Sequence, residues 1–116
     1  MIAVSGGGIA GLAAGLAVLR NQIPLLLVAG STPATALLGG IQIAPNGWEE
    51  LNRLGVSDMA RTESTALEAI TVRDMRSTAT IASLDLRKSA YSSIARASLT
   101  RLLESEINAI GGSKRI

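Results

Sequence analysis

The sequence predicts an α/β fold that opens with a parallel βαβ unit and carries a small β-hairpin further on, and three observations predict it. Residues 2–4 are a short apolar run that breaks at Gly6-Gly7-Gly8. Residues 9–19 are apolar on nearly all faces and end at Arg20-Asn21. Residues 23–28 are a second continuous apolar run, bounded by Gly30, Ser31, Thr32 and Pro33. Strand, glycine turn, buried helix and a strand buried on both faces follow in that order, within the roughly thirty residues that such a unit takes.

Beyond the unit, residues 31–45 hold Gly, Pro, Ser and Thr without a period. They read as a long loop, with one helical turn at 34–38. Asn46 and Glu49 have the spacing of a capping box, so a helix is expected to start there, with Asn46 accepting from a backbone amide and Glu49 reaching back. That helix would bury Trp48, Leu51 and Leu54, with Gly55 as its left-handed cap. A short helix is expected after Ser57. Ile70 and Val72, then Ala82, Leu84 and Leu86, alternate with polar neighbours on either side of Arg76-Ser77-Thr78, the pattern of a hairpin. Leu99, Leu102, Leu103, Ile107 and Ile110 fall at helical spacing over 96–109, Gly111-Gly112 stops them, and 113–116 resemble the start of another strand. No repeat, low-complexity tract or linker interrupts the chain.

With 116 residues, 47% hydrophobic and 17% charged, the chain has the composition of one small globular domain. Eleven basic and 9 acidic side chains leave a net charge of +2 without a basic run interleaved with aromatics, so no nucleic-acid partner is expected. Zero Cys and zero His remove thiolate nucleophiles, Cys-based zinc sites and the commonest general base. An enzyme built from what remains would leave the reaction to a bound cofactor.

Charge is distributed unevenly: Arg20 is the only charged side chain before Glu49. A membrane-inserted start is therefore the rival reading for residues 1–19. The glycine triplet, poor in helix propensity, and the lack of basic residues before the apolar run argue against a span or a signal peptide. A cytoplasmic location is expected.

Gly6-Gly7-Gly8-Ile9-Ala10-Gly11 satisfies G-x-G-x-x-G, with a strand before and a helix after it, the Rossmann-like context of a dinucleotide site. Gly6 would permit the tight turn, Gly8 would let the backbone approach a pyrophosphate, and Gly11 would let the helix lie close to the sheet, a flat face that Gly15 extends. The amides around Ile9 and Ala10, at the positive end of the helix dipole, would face the phosphates. The alternatives are a purely architectural turn, since glycine-rich turns are common, and the small-residue stripe of packed membrane helices, which Gly7, Gly11 and Gly15 also fit. A ribose-binding carboxylate is expected at the end of the second strand, where Ala29 stands instead. Ser31, Thr32, backbone or water would take its place, and weaker adenosine binding follows.

The chain resembles the N-terminal part of the FAD-dependent aromatic-ring monooxygenases, the group of the salicylate and ubiquinone-biosynthesis hydroxylases. Three stretches carry the resemblance between Met1 and about Glu106: Gly6 to Gly15, Gly39-Gly40-Ile41-Gln42-Ile43-Ala44-Pro45-Asn46, and Tyr91-Ser92-Ser93-Ile94-Ala95-Arg96-Ala97-Ser98-Leu99. It implies that Gly6, Gly8 and Gly11 hold the FAD pyrophosphate, that Gln42 passes near the flavin and that Arg96 contacts FAD. Arg96 also has a physical argument: a cation at a helix N-terminus opposes the dipole and is better tolerated beside an anion. The plainer readings are a solvated arginine, a polar loop residue at Gln42 and a helix cap at Asn46. Trp48 reads as core, Tyr91 stays open, and Asp58, Glu63 and Glu68 read as solvated faces.

In a complete member the resemblance implies that NAD(P)H reduces the flavin, O₂ is activated on it and an aromatic substrate is hydroxylated. Such members continue with an Asp-Gly segment, a Gly-Asp segment and a substrate sheet. Residues 1–116 are thus expected to be a truncated FAD-binding domain without the substrate domain, not competent for monooxygenation alone, whose exposed sheet edges could drive self-association. The rivals are a segment of another FAD or NAD(P) oxidoreductase, a non-catalytic remnant and a membrane-inserted segment.

Overall fold

A computed structural model describes residues 1–30, 38–111 and 113–115, the last three by backbone alone. β1 (Ile2–Ser5), α1 (Ile9–Arg20) and β2 (Leu25–Val28) form the expected unit, with β1 and β2 parallel from Ile2↔Leu25 to Ser5↔Val28. β8 (Ser113–Arg115) pairs in parallel on the other side of β2, giving the order β1-β2-β8. That is the order of one half of a doubly wound nucleotide-binding sheet. The outer edge of β1 has no partner strand among the described residues.

Leu12, Leu16 and Leu19 recur at helical spacing and are buried against Leu25 and Leu27 of β2. β2 differs from the expected strand buried on both faces: Leu26 is half-buried and Val28 is exposed. The alternate side chains of a strand point to opposite faces, and α1 covers only one of them.

Residues 40–43, expected as loop, form β3 (Gly40–Ile43), which pairs antiparallel with β7 (Ser92–Ala95). The cause is tertiary: Ile43 is buried and Ile41 half-buried, with Gln42 exposed between them, and β7 supplies the backbone partners. The helical turn expected at 34–38 lies, but for Leu38, outside the described residues. β4 (Ser64–Ala66) pairs on the far side of β7, giving β3-β7-β4.

α2 (Pro45–Arg53) begins one residue before the expected cap. Pro45 occupies its first turn, Ala44 is its N-cap without a side-chain bond, and Asn46 is already helical, so the capping box does not form. Proline suits that position because its fixed φ matches the helix and its missing N–H would be unpaired there anyway. The other end is as expected: Gly55 has φ +77, its N–H donates to Asn52 O at 3.0 Å, and Val56 N–H donates to Leu51 O at 3.0 Å. This is a Schellman motif. α3 (Ser57–Glu63) follows, and α4 (Arg96–Ile110) ends at Gly111 with φ +72.

One hydrophobic cluster joins these parts. Leu99, Leu102, Leu103 and Ile107 of α4 meet the α1 leucines on one side and Trp48, Leu51, Val56 and Ala60 on the other. Arg20 fastens the same junction from outside, donating to Leu54 O at 2.9 Å and pairing with Glu106. The hairpin of β5 (Ala69–Arg73) and β6 (Thr80–Asp85) stands apart, with every strand residue exposed. No described helix is long and apolar enough to cross a membrane.

Candidate functional site

Gly6 turns the chain with φ +124, and its N–H donates to Val28 O at 2.8 Å, which fastens the turn to the end of β2. A Cβ at Gly7 would lie 2.7 Å from Ala29 Cβ. At Gly11 it would lie 1.9 Å from Gly6 O, so this glycine lets the helix close on the turn itself rather than on the sheet. Close approach to the sheet belongs to Gly15, whose added Cβ would meet Leu25 Cδ2 at 3.0 Å.

Gly8 is different. It is the N-cap of α1 in an extended conformation, and a Cβ there would meet nothing within 4 Å. Gly8 is exposed at the mouth of a pocket of about 270 Å³ that Ile9, Ile41, Arg96 and Thr100 also line. No side chain caps α1 and no acid sits in its first turn, so the positive end of its dipole faces this space.

A second pocket of about 320 Å³ is lined in part by Gln42, Asn46, Gly47 and Leu99. Ile9 and Ile41 line both, so the two form one crevice running from the glycine turn past β3 to the start of α2. The crevice joins Gly8, Ile9, Gln42 and Arg96, drawn from three separate elements: α1 with its cap, β3 and α4. Gly6 and Gly11 shape the turn behind it, and Ala10 is exposed in the first turn of α1.

Arg96 opens α4, where its N–H donates to Gly39 O at 3.0 Å, and its side chain is exposed. None of the described carboxylates forms an ion pair with it. An unpaired guanidinium at a helix N-terminus is unfavourable unless an anion joins it. Thr100, one turn further along α4, is 3% exposed, and its Oγ1 has no hydrogen-bond partner. An orphaned buried hydroxyl costs about 1–3 kcal/mol. Sequence reasoning did not single out Thr100; the available signal was a polar residue four positions after Arg96, inside the apolar stripe of α4.

The remaining candidates lie elsewhere. Trp48 is 4% exposed in the core with the Arg61 guanidinium 4.5 Å above its ring. Asn46 lines the crevice without capping α2. Tyr91 is half-buried and its carbonyl accepts from Leu67 at 2.9 Å. Asp58, Glu63 and Glu68 are exposed, and no group of residues that could hold a metal ion occurs among the described residues. Ala29 sits just past β2 against Gly7, and Ser31 and Thr32, its substitutes toward a ribose, lie outside the described residues.

No family model matches the chain. A 3-amino-4-hydroxybenzoate 2-monooxygenase of Streptomyces platensis, PtnB3, is 37% identical over 109 residues, which cover 88% of this chain and 28% of that protein. A 3-hydroxybenzoate 6-hydroxylase of Klebsiella oxytoca is 34% identical over 71 residues, 61% of this chain and 18% of that one. Among solved structures, the tetrameric form of 2-methyl-3-hydroxypyridine-5-carboxylic acid oxygenase has the same fold, with a TM-score of 0.85 at 24% identity over 97% of this chain and 30% of its own. The flavin-dependent monooxygenase PieE, solved with FAD and substrate, gives 0.72 at 21% identity over 98% of this chain and 23% of its own. The chain thus spans less than a third of the length of these relatives.

Proposed function

This chain belongs, as a segment, to the aromatic-ring flavin monooxygenase family, and from that premise we propose that it is the part that holds FAD by its diphosphate. The observation that carries this reading is the pocket in which the open face of Gly8 meets the unpaired Arg96. The residues present fit such a group: the space a Cβ would fill at Gly8 is empty, and the pocket beside it has the Arg96 cation on its wall.

In this reading the amides of Ile9 and Ala10 donate to phosphate oxygens, aided by the dipole of α1. Arg96 offsets the remaining charge, and its fork of donors suits paired oxygens. Ile9 and Ile41 form an apolar wall beside both groups. Gln42, exposed on β3 over the second pocket, is within the part of the crevice left for the isoalloxazine end. Bound flavin would supply the redox chemistry of hydroxylation, with NAD(P)H as reductant and O₂ as oxidant. This chain's own contribution is positioning and electrostatics, as its lack of His and Cys suggests. Hydroxylation of an aromatic substrate is the activity we assign to the whole protein of which these residues form a segment.

Titrating the purified chain with FAD, followed by flavin fluorescence quenching, tests the reading. Saturable quenching is expected, together with its loss in Gly8→Val while the far-UV circular dichroism is unchanged. Equal affinity in the wild type and Gly8→Val would make the turn purely architectural.

A further inference from the structure

We propose that the nucleotide site admits adenosine diphosphates that carry a phosphate on the ribose 2′ carbon, and that Ala29 is the residue that sets this specificity. The inference rests on the reading of the crevice as an FAD diphosphate site and widens it to a second class of ligand. In a dinucleotide-binding βαβ unit the residue that ends the second strand stands beside the ribose. An Asp or Glu there accepts a hydrogen bond from the 2′ hydroxyl and repels a 2′ phosphate, whereas a nearby Arg accommodates the phosphate. Here the position is Ala29, directly after β2.

The fold holds Ala29 against the glycine turn. The Gly6 N–H donates to Val28 O at 2.8 Å, and Ala29 Cβ stands 2.7 Å from where a Cβ on Gly7 would be. Its methyl is thus beside the residue that precedes Gly8, and it neither accepts a hydrogen bond nor repels an anion. No acid of the βαβ unit compensates, because residues 21–48 carry no charged side chain and Glu49 is the first acid of the chain. The charged residues that backbone register brings beside β2 are both basic, Lys114 opposite Leu26 and Arg115 opposite Leu27. A phosphate monoester carries about 1.5–2 negative charges at pH 7. Exclusion of such a group depends on a like charge or a clash, and a methyl at position 29 supplies neither.

The experiment titrates wild type, Ala29→Glu and Ala29→Gln, as full chains, with ADP and with 2′-phospho-ADP by calorimetry, and checks folding by circular dichroism. The wild type is expected to bind 2′-phospho-ADP as tightly as ADP or tighter. Ala29→Glu should strengthen ADP about tenfold and weaken 2′-phospho-ADP about tenfold, which reverses the preference. Ala29→Gln has the same length without the charge and should bind 2′-phospho-ADP within about threefold of wild type. A wild type that prefers ADP by about tenfold or more overturns the proposal without any variant having to fold. A folded Ala29→Glu that ranks the two ligands as wild type does also overturns it, since residue 29 would then not face the ribose. So does an equal loss of 2′-phospho-ADP in Ala29→Gln, which would trace exclusion to bulk rather than charge. A wild-type chain that binds neither ligand sinks the diphosphate reading itself, an outcome distinct from one that binds ADP and refuses the 2′ phosphate.

Discussion

Leu16 and Leu84 are the same residue in opposite surroundings: the first is fully buried between α1 and the rest of the core, the second is 58% exposed on β6. The two regions they represent use similar apolar side chains. In the βαβ unit these side chains meet a second layer, α4, and the candidate site forms where the layers come together. In the hairpin, Ile70↔Leu84 and Val72↔Ala82 pair across the strands on one face, yet Ile70, Val72 and Leu84 all remain exposed. Its order comes from the backbone ladder and from local polar bonds at its tip, where the Asp74 carboxylate accepts from the N–H of Ser77 at 2.7 Å, the Ser77 hydroxyl at 2.8 Å and the N–H of Arg76 at 3.1 Å. A periodic apolar pattern therefore specifies an element, and only a facing partner turns that element into core.

The largest expected effect breaks this comparison at the core. Leu103→Ala removes a fully buried side chain between α1 and α4 and should cost about 2–5 kcal/mol in denaturant unfolding. Leu84→Ala should stay within about 0.5 kcal/mol of wild type. Equal costs would mean that the hairpin face is covered in solution.

Next comes the glycine turn. Gly11→Ala drives a methyl against the Gly6 carbonyl, a backbone atom that cannot step aside, and should cost about 1–3 kcal/mol or more. Gly8→Ala meets open space at an ordinary φ and should leave the unfolding free energy of the apo chain within about 0.5 kcal/mol. The pair separates a glycine needed for packing from one needed for access.

The smallest effect sharpens the comparison at the hairpin tip. Bonds from the Ser77 amide, then the Ser77 hydroxyl, with a lesser one from the Arg76 amide, hold the Asp74 carboxyl below its ordinary value near 3.8. A depressed carboxyl stabilises the tip above the ordinary carboxylate range, and this contribution is lost as pH falls through the lowered value. The amide resonance of Ser77 should accordingly move at a pH below 3.8, and Asp74→Ala should abolish that movement. A titration at or above the ordinary value would remove the tip bonds from solution.

Elements made by local signals were legible in the sequence. The βαβ unit, the Gly55 cap, the hairpin and α4 each carry their own periodicity and punctuation. β3 was hidden because it has only four residues, the first of them Gly40, and lies between Gly39 and Pro45, so that the sole internal sign was Ile41-Gln42-Ile43. β4 and β7 have few apolar residues and exist through pairing with distant segments, which no local window can show. α2 began at Pro45 because a fixed proline φ prevailed over a capping side chain. For the site, the glycine motif and the resemblance pointed to Gly8, Ile9, Gln42 and Arg96, which the fold brings together. Thr100, a polar residue inside the apolar stripe of α4, stood out only once its buried hydroxyl was seen to have no partner.

The crevice takes its walls from the start of α1, β3, α2 and the start of α4, which only the assembled chain brings together. An unfolded chain has no such surface, so occupancy and folding are a single coupled equilibrium. A ligand at a hundred times its dissociation constant would add about 2.7 kcal/mol to the unfolding free energy. Saturation thus works as a thermostat, with the melting point climbing in step with the logarithm of the free ligand concentration.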